Sequence, residues 1–229
     1  DSIGNTAFED PPRLQRSLLC SDLFLAHCDG KGSVAVARRF LMAAVIATPV
    51  TRVVRQATVD DIWTVHEIAR ESWHAVYDDV LGSELVDDVV DDWYAIGDLE
   101  SAITTTESRD DAAFLVAETA SDIASVGEAD CRSDPGLDGF AHVVPWPEDT
   151  TVAFLACLYV RPAVWNEGTG TALLETLETS LSTGFDCVRL PVLTDNEVGI
   201  SFYESQGFDR VTTRSSGLAA GLEEHVYEK

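Results

Sequence analysis

The feature that constrains this chain most is a strand, a glycine-containing turn and a helix in direct succession, LYVRPAVWNEGTGTALL at 158–174. The apolar run 154–160 predicts the strand, and Gly168 and Gly170 stand in the polar turn after it. Such a turn is a typical anion site, because the first N–H groups of a helix lack intrahelical acceptors and the helix dipole adds positive charge. Leucines at helical spacing predict the helix: Leu173, Leu174, Leu177 and Leu181.

Two common phosphate-binding motifs do not fit this turn. The P-loop requires a Lys after its second glycine, and the chain has no Lys between Lys31 and Lys229. The dinucleotide fingerprint requires a third glycine, and Leu173 stands at that position. The pair of Gly168 and Gly170 alone is also compatible with an ordinary strand-to-helix turn.

A second segment, LPVLTDNEVGISFYESQGF at 190–208, predicts a strand, an Asn-containing turn, a short helix and a Gly-Phe break into another strand. With the first segment and the opening VVRQATVDD at 53–61, it resembles the GNAT family of acyl-CoA-dependent N-acyltransferases. The resemblance covers residues 51–229. The residues that carry it are Pro162 with the glycine turn, then Leu190, Val192, Asn196, Phe202, Tyr203, Gly207 and Phe208.

The resemblance implies an α/β (α+β) fold, with a central mixed sheet flanked by helices. It also implies transfer of an acetyl group from acetyl-CoA, bound as co-substrate, to an amine of a small molecule or protein. The amine would attack directly in a ternary complex, without an enzyme nucleophile or a metal. In such a reaction Tyr203 would protonate the leaving thiolate.

The resemblance also implies which residues hold the cofactor. The diphosphate would meet the backbone amides of the turn, and the pantetheine arm would pair with an exposed strand edge. Asn196 would contact the cofactor or fix the turn before its helix. The expected set is Leu158, Tyr159, Val160, Trp165, Asn166, Glu167, Gly168, Thr169, Gly170, Thr171 and Asn196.

Simpler structural roles stand beside these assignments. Tyr203 could be a half-buried aromatic residue paired with Phe202, and Asn196 could be a helix cap. Trp73 and Tyr77 could line a substrate cleft or belong to the core. The base that deprotonates the amine is open between His142 and Glu118, and Cys157, in an apolar strand, is not expected to carry an acyl group.

The turn departs from the family pattern at three positions. Trp165 and Asn166 stand where Gln or Arg and then Gly are usual, and Glu167 replaces a residue that is commonly basic. Glu167 would repel a diphosphate unless its side chain points to solvent. This departure keeps a second function open, a non-catalytic acyl-CoA sensor with the same fold.

The charge balance is strongly acidic, with 40 Asp and Glu against 15 Lys and Arg and a net charge of −25. A surface of this charge repels nucleic acid and anionic membranes, so neither is an expected partner. Dispersed carboxylates with only two Lys predict adaptation to high salt, as in a halophilic microbe. An ordinary acidic protein that attracts cationic substrates is the rival interpretation. We expect a cytoplasmic protein, and a homodimer is left open.

Residues 1–50 differ from the rest because their acidic and basic residues balance, so the whole net charge arises from residues 51–229. We therefore predict an N-terminal extension at 1–50, disordered or translated from upstream of a true start at Met42, and an acetyltransferase domain at 51–229. Arg38 and Arg39 before an apolar run offer an alternative, an export signal, but the run is short.

The five cysteines show no metal-binding or disulfide pattern. The remaining periodicity predicts a strand at 52–56, a helix capped by Thr58 and Asp61, and a second helix through Leu85, Val89, Val90 and Trp93. It further predicts a short helix at 99–106, strands at 113–118, 140–144, 152–160 and 187–192, a long loop at 119–137, and a hairpin of 208–215 with 225–228.

Overall fold

A seven-stranded mixed sheet forms the centre of the molecule, as predicted. This computed structural model describes residues 52–119, 136–181 and 184–229. The sheet order is β1-β2-β3-β4-β5-β7-β6, and each neighbouring pair is antiparallel except β4 and β5. The strands are β1 Arg52–Gln56, β2 Ala113–Thr119, β3 Leu137–Trp146, β4 Asp149–Val160, β5 Cys187–Leu193, β6 Asp209–Ser215 and β7 Glu223–Glu228.

Helices cover both faces of the sheet. Three helices pack in one hydrophobic cluster with β2, β3 and β4: α1 Ile62–Leu81, α2 Ser83–Trp93 and α3 Ile96–Thr106. Two helices pack in the cluster on the opposite face: α4 Thr169–Leu181 and α5 Glu197–Ser205. The leucines predicted to form the inner face of α4 are all buried there.

A 3₁₀ turn at Val59–Asp61, which leads directly into α1, confirms a local sequence signal. The backbone N–H of Thr58 donates to Asp61 Oδ2 at 2.8 Å, which is one half of a capping box. Arg55 adds a two-pronged ion pair to the same carboxylate, at 2.7 and 2.8 Å. The chain therefore turns from β1 into α1 through interactions among residues close in sequence.

Not every apolar residue that marks α2 in the sequence faces the core. Val86 is fully buried with Val89 and Val90, whereas Leu85 is 38% exposed. The helix begins at Ser83 directly after Gly82, and the phase in which it docks is set by its packing on α1. The next helix, α3, starts at Ile96, earlier than predicted, because the apolar spacing alone does not mark its first turn.

A bulge and a divergence in β4 create the opening where a site can form. His142 pairs with Cys157 but Val143 pairs with Leu155, so Ala156 is an extra residue in β4. The parallel pairing of β4 with β5 extends only over 152–154 and 187–189. Beyond it the strands separate, which leaves the 155–160 edge of β4 unpaired with β5.

Some predictions fall outside the described residues. These are the extension at 1–50 with Met42 and the paired arginines, and residues 120–135 of the predicted long loop. Over the ranges that are described, no helix is long and apolar enough to cross a membrane. The same ranges contain no grouping of His, Cys, Asp and Glu suited to a metal ion.

Candidate active site

The turn between β4 and α4 has a backbone that explains its unusual sequence. Asn166 has a φ of 65° and Gly168 a φ of 87°, both in the left-handed region. Asn is among the few residues with a side chain that adopt this conformation readily. Asn166 therefore substitutes for the glycine of the family pattern without a large cost in backbone strain.

The two glycines of the turn serve different purposes. Gly168 supplies the positive φ, whereas Gly170 allows a close approach between elements. A Cβ atom on Gly170 would lie 3.3 Å from Phe202 Cζ and 3.6 Å from Leu158 Cδ2. The start of α4 can therefore pack directly on α5 and β4.

The first turn of α4 has the properties of an anion site. Its first intrahelical bond is Ala172 N–H to Gly168 C=O at 2.9 Å, so the preceding N–H groups have no acceptor within the helix. Thr169 is 1% exposed, and its Oγ1 has no hydrogen-bond partner among the described residues. Unpaired donors and a buried hydroxyl at a helix N-terminus fit the diphosphate of coenzyme A.

Glu167 does not leave an uncompensated charge at this turn. Arg52 Nη2 donates to Glu167 Oε2 at 2.7 Å, and Arg52 Nη1 donates to the Glu167 carbonyl at 3.2 Å. Arg52 Nε also lies 3.3 Å from Asp138 Oδ2. Sequence reasoning missed Arg52, and no local signal could have found it, because 115 positions separate it from Glu167.

Trp165 closes one side of the opening between β4 and β5. Its Nε1–H donates to the Val160 carbonyl at 2.7 Å, and Ser72 Oγ donates to the same carbonyl at 3.1 Å. The Val160 carbonyl, on the strand edge predicted to pair with pantetheine, therefore already accepts two hydrogen bonds within the protein. Trp165 also borders a cavity of about 210 Å³, whose other lining residues are Ala75, Val76, Asp195, Asn196, Glu197 and Val198.

Asn196 is a helix cap, as the simpler interpretation had it. Its Oδ1 accepts from Gly199 N–H at 2.8 Å at the start of α5. Its Nδ2 also donates to the Tyr77 hydroxyl at 3.3 Å, across to α1. One buried side chain thus joins helices from the two faces of the sheet beside the cavity.

Tyr203 lies fully buried on α5. Its ring makes edge-on contacts with Phe202 and Phe208, at centroid distances of 5.1 and 5.5 Å. The contact with Phe202 that the simpler interpretation expected is present, but Tyr203 is fully buried rather than half-buried, and its role as an acid stays a proposal.

A chain of buried hydroxyl groups lies on the other face of β4. Tyr159 OH accepts from Trp73 Nε1 at 2.9 Å and lies 2.8 Å from Tyr94 OH. Trp73 and Tyr77 are core residues with almost no exposure. The contact of the Tyr94 hydroxyl with Tyr159 was not predicted, because the apolar spacing of α2 pointed to its neighbour Trp93 instead.

The structure disfavours both residues considered as a base. His142 is 5% exposed and stacked on Phe114, and burial lowers its pKa to about 4, so it is a weak base. Glu118 lies on β2, which β3 separates from β4, and its carboxylate is 3.5 Å from Nε of Arg55 on β1. Burial raises the pKa of the Cys157 thiol, which makes it a poor nucleophile, as expected.

Comparison with known proteins decides the family. The pattern of the Acetyltransferase (GNAT) family matches residues 73–208. The chain belongs to the GNAT family. This GNAT protein is an acetyl-CoA-dependent N-acetyltransferase, and the predicted fold and enzyme class are confirmed.

Similar proteins agree with this assignment. The chain is 29% identical to spermidine N(1)-acetyltransferase of Thermoplasma acidophilum over 156 residues. This matched region covers 68% of this chain and 86% of the relative. It resembles the PaiA N-acetyltransferase of the same organism, solved in complex with coenzyme A, with a TM-score of 0.63 and 27% identity over 78% of this chain and 98% of that one. YncA of Salmonella typhimurium, solved with acetyl-CoA, shares the fold at a TM-score of 0.55 and 16% identity, over 78% and 92% of the chains.

Proposed function

We propose that this GNAT enzyme acetylates a small cationic amine, by direct attack of the amine on bound acetyl-CoA. The observation that carries the proposal is the first turn of α4, whose N–H groups have no acceptor within the helix and whose Thr169 hydroxyl is buried without a partner among the described residues. The class of acceptor is supported by the similarity to a spermidine acetyltransferase. A strongly acidic surface also favours the approach of a cation.

Acetyl-CoA would occupy the opening between β4 and β5. The amides of residues 166–171 would bind its diphosphate, and the edge of β4 at 158–159, before the engaged Val160 carbonyl, would pair with the pantetheine amides. Trp165 and Asn196 border the cavity beside this edge and would flank the arm. Acetyl-CoA supplies the activated thioester, and the protein orients it for attack.

The chemistry requires a proton to reach the departing sulfur. The amine nitrogen bonds to the thioester carbonyl carbon, the carbon–sulfur bond breaks, and the thiolate takes a proton. We assign this proton to the Tyr203 hydroxyl, on the helix that Asn196 ties to the opening. General acids of this kind contribute about 10²–10⁴-fold in rate.

A thiol-release assay with a panel of amines tests the proposal. Tyr203→Phe should lower kcat at least about 100-fold with KM for acetyl-CoA unchanged. Tyr227→Phe is the matched control, because it removes another largely buried tyrosine hydroxyl, one that donates to Glu204 at 3.0 Å. Unchanged turnover in Tyr203→Phe would refute the acid role.

The same assay separates an enzyme from a sensor. Coenzyme A binding, measured by thermal shift, without thiol release for any amine would favour the non-catalytic alternative. Running it at low and at multimolar KCl also tests the predicted adaptation to high salt. The cytoplasmic location and the homodimer stay predictions.

A further inference from the structure

Glu224 is a buried carboxylate that the proposed chemistry does not use. It lies on β7 with 2% exposure, and its Oε1 accepts from Arg214 Nε at 2.5 Å. Its Oε2 is equally inaccessible and has no hydrogen-bond partner among the described residues. One oxygen of this carboxylate is therefore satisfied within the protein, and the other is buried without a donor among the described residues.

An unsatisfied carboxylate oxygen is costly to bury. A buried polar atom without a partner destabilises the fold, and more so when it is charged. Burial raises the pKa of Glu224, although Arg214 acts in the opposite direction. The Arg214 side chain is 39% exposed and lies over the Trp146 ring, so its charge is shared with solvent. A cationic donor at Oε2 would offset this cost.

The register of the sheet places Glu224 near the opening. Leu193 on β5 and Arg214 on β6 are its direct cross-strand partners, so the three side chains share one face. Leu193 packs in the cluster that contains Tyr77 and Tyr159, beside the point where β4 and β5 separate. The carboxylate is thus on the face where α1 borders the opening.

The apolar residues of the neighbouring loop are only partly buried. Leu218 and Leu222 pack against the same cluster and are only partly buried. They belong to the loop between β6 and β7, which is closed by Ser216 N–H donating to the Leu222 carbonyl at 2.8 Å. Leu222 precedes Glu224 by two residues, so both side chains lie on the same side of the chain.

We propose that Glu224 binds the ammonium group of the acceptor that is not acetylated. The inference rests on the proposed function, because it takes the acceptor to be a small amine. The reacting nitrogen must lie between β4 and β5, and β7 is one strand beyond β5, at about 4.8 Å per strand. An acceptor with two amino groups joined by a few methylenes spans that separation. Glu224 is therefore a specificity-determining residue for diamines and polyamines.

Two probes and a matched variant test this assignment. Glu224→Gln keeps the shape of the side chain and removes the charge, and Glu223→Gln makes the same charge change at the exposed neighbouring position. In Glu224→Gln, kcat/KM for butane-1,4-diamine should fall about tenfold or more, since a hydrogen bond to a charged group is lost. The value for butylamine and the KM for acetyl-CoA should not change. Glu223→Gln should leave all three values as in the native enzyme.

Other outcomes overturn the inference. If Glu224→Gln leaves kcat/KM for butane-1,4-diamine unchanged, or lowers kcat/KM equally for both amines, Glu224 does not bind a second ammonium group. If Glu224→Gln fails to fold, Glu224→Asp withdraws the charge by one methylene and should show the same selective loss. If the native protein acetylates no amine, the proposed function fails. Calorimetric binding of butane-1,4-diamine, present in the native protein with coenzyme A and absent in Glu224→Gln, would still support the site, and equal binding would refute it.

Discussion

Replacing Arg52 with Met should weaken the binding of coenzyme A, although Arg52 lies on β1 and outside the turn. Arg52 donates to both the carboxylate and the carbonyl of Glu167. The carbonyl bond has a further effect, because a planar trans peptide directs the N–H of Gly168 to the opposite side. Arg52 therefore neutralises the turn and also fixes the direction of one of its donors.

The expected magnitude follows from these contacts. A hydrogen bond from a charged donor contributes about 1.5–3 kcal/mol. The ion pair adds about 0–1 kcal/mol, since the Glu167 side chain is 47% exposed. Without Arg52, the exposed carboxylate would repel the diphosphate by about 1 kcal/mol, the value for two charges about 4 Å apart in water. The repulsion alone should raise the Kd for coenzyme A about fivefold, and the less ordered turn should bring the total to at least about tenfold.

Calorimetric titration with coenzyme A at constant ionic strength measures the effect. The double variant Arg52→Met/Glu167→Gln should recover about fivefold of the lost affinity, because the repelling charge is gone. Arg109→Met is the control, since Arg109 forms a comparable pair with Asp111 at the other end of β2. Equal affinity in Arg52→Met and the native protein, or no recovery in the double variant, would refute the reasoning.

Two further predictions concern the backbone and the core. Gly168→Ala should lower the free energy of unfolding by about 1–2 kcal/mol and raise the KM for acetyl-CoA, because Gly168 has a φ of 87°. Gly168→Asn should lower the melting temperature and raise the KM by less. Equal melting temperatures for both variants and the native protein would contradict this. His142 has a native pKa of about 4 against 6.5 ordinarily, so its neutral form stabilises the fold fully above pH 6.5 and this contribution is lost as the pH falls toward 4. Between pH 7 and pH 4, the free energy of unfolding in urea should therefore fall by up to about 3 kcal/mol less for His142→Phe than for the native protein. Parallel pH profiles for the two proteins would contradict this prediction.

Features that depend on neighbouring residues were predictable. The cap at Thr58 and Asp61, the buried leucines of α4 and the Asn196 cap all formed where the pattern indicated. Each depends on helical periodicity or on a hydrogen bond spanning three residues, so the signal lies within one short window. The strand, turn and helix that identified the family are of the same kind.

Features that depend on packing were not predictable. The phase of α2 changed which residue it buries, because a helix rotates to suit its neighbours and the spacing of Leu85 and Val86 fits either choice. The bulge at Ala156 depends on pairing with β3, and the β4 sequence alone does not reveal it. The partner of Glu167 could not be known until β1 was placed next to β2.

The sequence by itself therefore determined the family, the enzyme class and the glycine turn at the start of α4, because these follow from local order and spacing. Only the tertiary structure decided that Arg52 compensates Glu167, that Tyr203 is enclosed by aromatic rings, and that Glu224 is buried with an unpaired oxygen. The physical reason is the strand order. With β1 at one edge and β7 inserted between β5 and β6, the sheet brings together residues far apart in the chain, and no local pattern encodes those contacts.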